Sequence, residues 1–420
     1  MMHLPLLLPV MLVASRSPFN WGTVQDLSYT FCYNASGPYN ADALRQLAKS
    51  KLFIHGMNER QEQAPAFLQS EEKVIASAQQ MLAVNPAQQQ FYTIQNDFTR
   101  AIYDSGAWFN SHPECLLRDK DGELVNHTAT NQKYPICTAG PNKTDCHVYG
   151  FQTQCGRDAW VKFAVDTVTK GKLSGVFIDG FQGCAPEGGC GRTLVTCSAE
   201  QSKSWLAGLG DALWELHRQL KALGGNKTII CNGTGQMYAC GGKKPCYCDA
   251  ANKERFYPNA NDLEQVVAAA AEDNMHGSSA ASFWGIIHVP HIDDGDVNFN
   301  KSLAGFLATA GAPAVAFGYG VGFEYDCDEG GWLVDHPELS QPLGPPAGPP
   351  IVTHANHSRG NQHAVFTRGY TSGVRVYYNA TAHPSHSASC VRWVDGSSTE
   401  ANGGCGQMER WLLLTEGETA

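Results

Sequence analysis

Short, nearly continuous apolar runs alternate along this chain with longer segments whose apolar positions recur at helical spacing. "LSYTFCYN" (27–34) reads as a strand, "NADALRQLAKS" (40–50) as an amphipathic helix opened by Asn40, and "KLFIHGM" (51–57) as the next strand. The alternation continues. "SEEKVIASAQQMLAVN" is helical, with Ser70 as its N-cap, and "QQFYTIQND" is a strand ending at Asp97. "RDAWVKFAVDTVTKG" sets Trp160, Phe163, Ala164 and Val168 on one helical face and stops at Gly171, and "LSGVFIDGF" (173–181) follows as a strand. A long helix from a Ser198 cap to Gly224, the strand "KTIICNGTG", and the strands "SSAASFWGIIHV" and "APAVAFGYG" with helices before them complete seven β units. Parallel strands need such crossovers, and strands covered on both faces read as unbroken apolar runs. The pattern predicts an α/β protein built as a (β/α)8-type TIM barrel. An open doubly wound sheet is the alternative, but no G-x-G-x-x-G follows the first strand.

The pattern changes at "QPLGPPAGPP" (341–350), too rich in Pro and Gly for a helix interior or a central strand. Beyond it, "HAVFTRGYTSGVRVYYNAT" and "CVRWVDGSS" are short β runs separated by turns. The expected organisation is a signal peptide at 1–17, a barrel at 18–340, a linker at 341–350 and a small all-β region at 351–420, one of whose strands could serve as the eighth of the barrel. The 420 residues suffice for one barrel and a small appendage.

Composition bears on partners and compartment. A formal net charge of −10 with no Lys/Arg-rich run argues against nucleic acid and anionic membrane surfaces as partners. "MMHLPLLLPVMLVASRS" has the apolar core and small-residue end of a cleaved secretory signal, although no Lys or Arg precedes that core. No later run reaches the ~18 apolar residues of a membrane span. The 15 Cys suit an oxidising compartment, and sequons at Asn34, Asn126, Asn142, Asn226, Asn232, Asn300, Asn356 and Asn379 predict N-linked glycans. The expectation is a protein of the secretory route, exported or associated with a cell wall. "CGGKKPCYC" offers closely spaced thiols that in this setting read as disulfides rather than zinc ligands.

In a barrel of this kind the C-terminal ends of the strands carry the chemistry. Those ends bring Tyr33, His55, Gln95 and Asn96 with Asp97, Asp179, Asn232, Trp284, Tyr319 and, beyond it, Glu324. The set is carboxylate, amide and aromatic. It holds no G-x-S-x-G and no H-E-x-x-H, which removes the usual signals of serine hydrolases and zinc proteases. Glycoside cleavage asks for two carboxyl groups, with amides and imidazoles on the hydroxyls and aromatic faces on the ring. Asp179 is the first candidate for a catalytic carboxylate, with Asp97 and Glu324 as candidates for the second. Tyr33, His55, Asn96, Trp108, Asn232, Trp284 and Tyr319 are the candidate substrate contacts, and no metal or organic cofactor is expected.

The succession "FYTIQNDF", "WFNSHPECLLRDKDGELV", "GVFIDGF", "PLGPPAGPP", "FTRGYTSGVRVYYNAT" and "RWVDG" resembles the hypothetical glycosyl hydrolases, barrel proteins of unassigned substrate. The resemblance implies a carbohydrate-directed activity on an oligo- or polysaccharide, with Asp179 where such families carry an acidic residue after the fourth strand. The Cys-rich stretches at 184–197 and 231–248 depart from it and would crowd the rim. The alternative is a carbohydrate-binding or cell-surface structural protein on a degenerate barrel; a lyase or transferase using the same acids is a third possibility.

Overall fold

A computed structural model of the chain describes residues 21–30, 41–55, 70–96, 99, 103–119, 121–127, 146–179, 198–224, 227–232, 248–254, 259–261, 263–264, 266–267, 285–289, 299–309, 316–319, 336–356 and 363–417. The segment expected to be a signal peptide lies outside this set. Among the described residues no helix is long and apolar enough to cross a membrane.

Eight parallel strands form one closed sheet: β1 (Gln25–Thr30), β2 (Leu52–His55), β3 (Gln89–Gln95), β6 (Gly175–Asp179), β7 (Thr228–Asn232), β8 (Ala250–Glu254), β9 (Gly285–Val289) and β10 (Ala316–Tyr319). Their order around the ring is β1-β10-β9-β8-β7-β6-β3-β2, so neighbours in space are neighbours in sequence apart from a short excursion after β3. The described helices follow β1 (α1, Ala41–Leu47), β2 (α2, Ser70–Val84), β3 (α3, Asp104–Asn110, and α4, Gln154–Gly171), β6 (α5, Ala199–Ala222) and β9 (α6, Phe299–Thr309).

The ring differs from the sequence expectation in one element. The strand β8, "AANKE", lies just past the Cys-rich stretch 231–248, where the pattern assigns no element, and it supplies the strand missing from the seven. The strands expected near Trp284 and Tyr319 are consequently the seventh and eighth in the ring, and none of the C-terminal strands is used to close it.

Packing between the wall and the helices fixes the half of the ring that carries Asp179. Trp160 of α4 is buried, and its indole N–H donates to the Gln95 carbonyl at 2.8 Å. Trp205 of α5, also buried, donates to the Tyr149 carbonyl at 2.7 Å, with the Phe151 ring between the two indoles. Each indole thus buries a large apolar face and satisfies its one donor. Thr153 caps α4, and Ser198 with Gln201 forms a capping box on α5. At Gly175 a Cβ would stand 1.8 Å from the Thr228 carbonyl oxygen, so β6 and β7 approach each other only because this position has no side chain.

The excursion after β3 holds α3 and a two-stranded pair, β4 (Asn126–His127) with β5 (Cys146–His147), tied to the start of α4 by the Cys115–Cys155 disulfide. A second disulfide, Cys231–Cys248, joins the end of β7 to the residues before β8. Glu114, Cys115 and Cys155 are the one group of metal-type ligands among the described residues, and both thiols are engaged in the disulfide.

The C-terminal region is an antiparallel meander, β11 (Ile351–Asn356), β12 (His363–Gly369), β13 (Arg375–Thr381), β14 (Ala388–Arg392) and β15 (Ser398–Ala401), as its short β runs predicted. It is not all β. Helix α7 (Gly404–Gly417) packs Met408 against Tyr377, and the Cys390–Cys405 disulfide joins its start to β14. The other face of the sheet shares a core with α6, where Phe306 and Leu307 meet Phe366, Val376 and Tyr378. The Tyr370 hydroxyl donates to the Leu307 carbonyl at 2.7 Å, so the "RGY" motif works as a latch. Residues 341–350 are pinned rather than loose: Leu343 is buried, its N–H donates to the Gly22 carbonyl, and the Ala347 N–H donates to the Gly369 carbonyl.

Candidate active site

The register of the strands sets which positions share a face. Gln95 pairs with Asp179, Thr93 with Phe177, and Asn252 with Asn232. Alternation along a strand then puts Gln95, Asp179, Asn232 and Asn252 on one face of four consecutive strands. Their side chains are bonded to one another. The Gln95 amide donates to Asp179 Oδ2 at 2.8 Å, and the Asn232 amide donates to Asp179 Oδ1 at 2.8 Å. Asn232 Oδ1 in turn accepts from the Asn252 amide at 2.7 Å.

These contacts answer why an apolar run ends on a charge. Asp179 is half-buried, and both of its oxygens accept from side chains of the strands on either side. A carboxylate gripped this way has a fixed direction, and acceptor duty at both oxygens suits a nucleophile or a base rather than a proton donor. The strand backbone adds support, since the Asn96 N–H donates to the Asp179 carbonyl at 3.1 Å. Asn252 is buried, and its Oδ1 has no hydrogen-bond partner among the described residues.

The other candidates divide. Asn232 joins the cluster, its amide donating to Asp179 and its Oδ1 accepting from Asn252. His55 lies on the other side of the wall: it is buried, bonded to Gln90 at 2.8 Å and packed against Phe53, while the Gln90 amide reaches the Ala78 carbonyl of α2 at 3.4 Å. Burial holds its imidazole down at about 4. As a sugar contact His55 is therefore corrected to a structural residue. Trp108 likewise belongs to the helix layer, stacked on His112 at 3.9 Å and set edge-on to Phe163 of α4. Asn96 is fully buried, and neither end of its amide has a partner among the described residues. Tyr319 ends β10, in register with Val289. Asp97, Glu324, Tyr33 and Trp284 lie outside the described residues.

Two residues of the cluster have no role that the sequence pattern assigns. Gln95 sits at a strand end that the pattern located, but nothing in "QQFYTIQ" says which face is inward. Asn252 sits in the strand that was not foreseen. A further buried carboxylate, Glu71, is accounted for: it accepts from the Asp104 N–H at 2.7 Å and the Ser105 hydroxyl at 2.6 Å, capping α3, and burial pushes its carboxyl up.

The model of hypothetical glycosyl hydrolase family 15 matches residues 75–374. The chain belongs to that family. The match spans β3, β6, β7 and β8, and so covers all four residues of the amide–carboxylate cluster. No curated protein matches the chain. Similar solved structures include the galactosidase domain of an α-galactosidase-sucrose kinase, at 11% identity and a TM-score of 0.49 over 91% of this chain and 51% of that one. They also include a noncanonic maltogenic α-amylase from Thermotoga neapolitana, at 10% identity and a TM-score of 0.44 over 88% of each chain.

Proposed function

We propose that this chain is a glycoside hydrolase on a (β/α)8 frame, acting on an oligo- or polysaccharide, with Asp179 working at the anomeric carbon. The observation that carries the reading is the grip on Asp179, a half-buried carboxylate at a strand's C-terminal end whose two oxygens accept from Gln95 and Asn232. Glycoside cleavage needs such a carboxylate, oriented and ready to attack the anomeric carbon or to take a proton from the attacking water. Family membership supports the same class of chemistry.

We also read the protein as one of the secretory route. Three disulfides among the described residues and the apolar N-terminal stretch support this. Expression in a secreting eukaryotic host, with recovery from the medium and loss of mass on treatment with peptide N-glycosidase, is the expected result; retention in the cytosol would oppose it.

The function itself is tested by incubating purified protein with a panel of polysaccharides, oligosaccharides and aryl glycosides and measuring new reducing ends. Turnover of at least one member, linear in enzyme and in time, is expected. Binding without release of reducing ends would instead favour a carbohydrate-binding protein.

A further inference from the structure

The amide–carboxylate cluster ends on an acceptor with no donor to meet it among the described residues. Ile178 is level with Cys231, and Asn232 is level with Asn252, so Asp179, Asn232 and Asn252 stand at one height on three consecutive strands. The carboxylate sets the direction of every bond between them. Both Asp179 oxygens accept, so Asn232 turns its Nδ2 to Asp179 and its Oδ1 to Asn252, and Asn252 turns its own Nδ2 to Asn232. What is left at the far end is Asn252 Oδ1.

Level with Asn252 on the next strand is Ile286, a residue type with no side-chain donor to offer. An unpaired acceptor on a side chain only 3% exposed is costly, and buried polar networks of native proteins close on a further donor. That donor belongs on the inner face, because the contact with Asn232 puts the Asn252 amide there. Two strand spacings of ~4.8 Å set the Cα atoms of Asp179 and Asn252 roughly 10 Å apart, with both side chains on the inner face. One sugar ring with its hydroxyls fits that interval.

We propose that Asn252 is a substrate-binding residue whose Oδ1 accepts from one hydroxyl of the sugar whose anomeric carbon lies at Asp179. The inference rests on the glycoside hydrolase reading. The selectivity it confers has a definite sign. Because the carboxylate fixes the amide's direction through Asn232, position 252 presents an acceptor, which takes a sugar with a free hydroxyl at that point and rejects one that lacks it or carries an ether or ester there. The contact is made in the bound sugar as well as in the transition state, so it reads in kcat/KM, whereas the support that Asn252 gives Asn232 reads in kcat.

The test uses monodeoxy analogues of the aryl glycoside that the wild type cleaves best, each missing one ring hydroxyl. Intrinsic differences in reactivity between analogues cancel when two enzymes are compared on each one. At one position the parent-to-deoxy ratio of kcat/KM should be ~10–100-fold larger in the wild type than in Asn252→Ala, and at the other positions the two enzymes should agree within ~3-fold. Should Asn252→Ala fail a thermal melt, Asn252→Leu, close to the amide in shape but without its polar atoms, gives the same comparison. Gln95→Ala frees the other Asp179 oxygen without touching Asn252, and it should lower the parent and every analogue alike. A Gln95→Ala enzyme that loses the same discrimination would trace it to Asp179 and overturn the role of Asn252. Equal ratios in wild type and Asn252 variant at every position would overturn it too, while leaving the glycosidase reading intact. A wild type that cleaves no glycoside would overturn both.

Discussion

Two polar clusters flank strand β3, made from similar residues and put to different use. The outer one runs from His55 through Gln90 and Gln88 to Ser50, with contacts at 2.8, 3.1 and 3.2 Å, and Gln88 also donates to the Leu47 and Ser50 carbonyls. All four are buried, and the string closes on backbone of the neighbouring helix ends. The inner one, Gln95, Asp179, Asn232 and Asn252, contains a carboxylate, remains half-buried at Asp179 and Asn232, and includes an acceptor on Asn252 without a partner among the described residues. A closed network under a helix is scaffold; an open one on the inner face is available to a ligand. Polarity at the end of an apolar run is therefore weak evidence of function until the face it occupies is known.

The contrast can be tested by substitution on each side. Among the residues that support Asp179 and His55, the largest effect is expected at Asn232→Ala, which frees one Asp179 oxygen: kcat should fall ~10²–10³-fold while the melting temperature stays within a few degrees. A stability loss with unchanged kcat would make the inner cluster scaffold too.

Acid stability should then report on the outer cluster. The buried His55 imidazole sits at about 4 against an ordinary 6.5, so between those values the unfolded chain binds more protons than the folded one. Its contribution is complete above about pH 6.5 and is lost as pH falls through 4, amounting to about 3 kcal/mol. Urea midpoints of His55→Gln and wild type, measured from pH 7 to 4, should show a flatter profile in the variant.

A smaller loss is expected for Gln90→Ala, which strips the partner from His55 and should cost ~2 kcal/mol with kcat unchanged. Smallest is Asn252→Ala, where kcat should drop ~10-fold because Asn232 loses its support without leaving Asp179.

Much of this architecture was legible in the chain. The alternation of apolar runs with helical periods located seven of the eight strands, and the run ending at Asp179 marked the residue at the centre of the inner cluster. "AANKE" escaped because its inward position 252 is an amide and its apolar content is two alanines, so it carries no strand signal of its own; neighbouring strands and the Cys231–Cys248 bridge hold it in place. Helix α7 escaped because glycines open it and its apolar residues bunch at Trp411–Leu414. Faces were not legible. Every position of β2, and every position of β3 after its first residue, is buried, so no alternation of polar and apolar residues distinguishes the inner face from the outer, and the pattern alone puts His55 at the rim.

The most direct measurement is the turnover of Asp179→Asn beside the wild type, on whichever glycoside the wild type cleaves, with a thermal melt of each. Asp179 acting at the anomeric carbon predicts a loss of at least ~10⁴-fold in kcat with the fold retained. A variant that keeps wild-type turnover would contradict it.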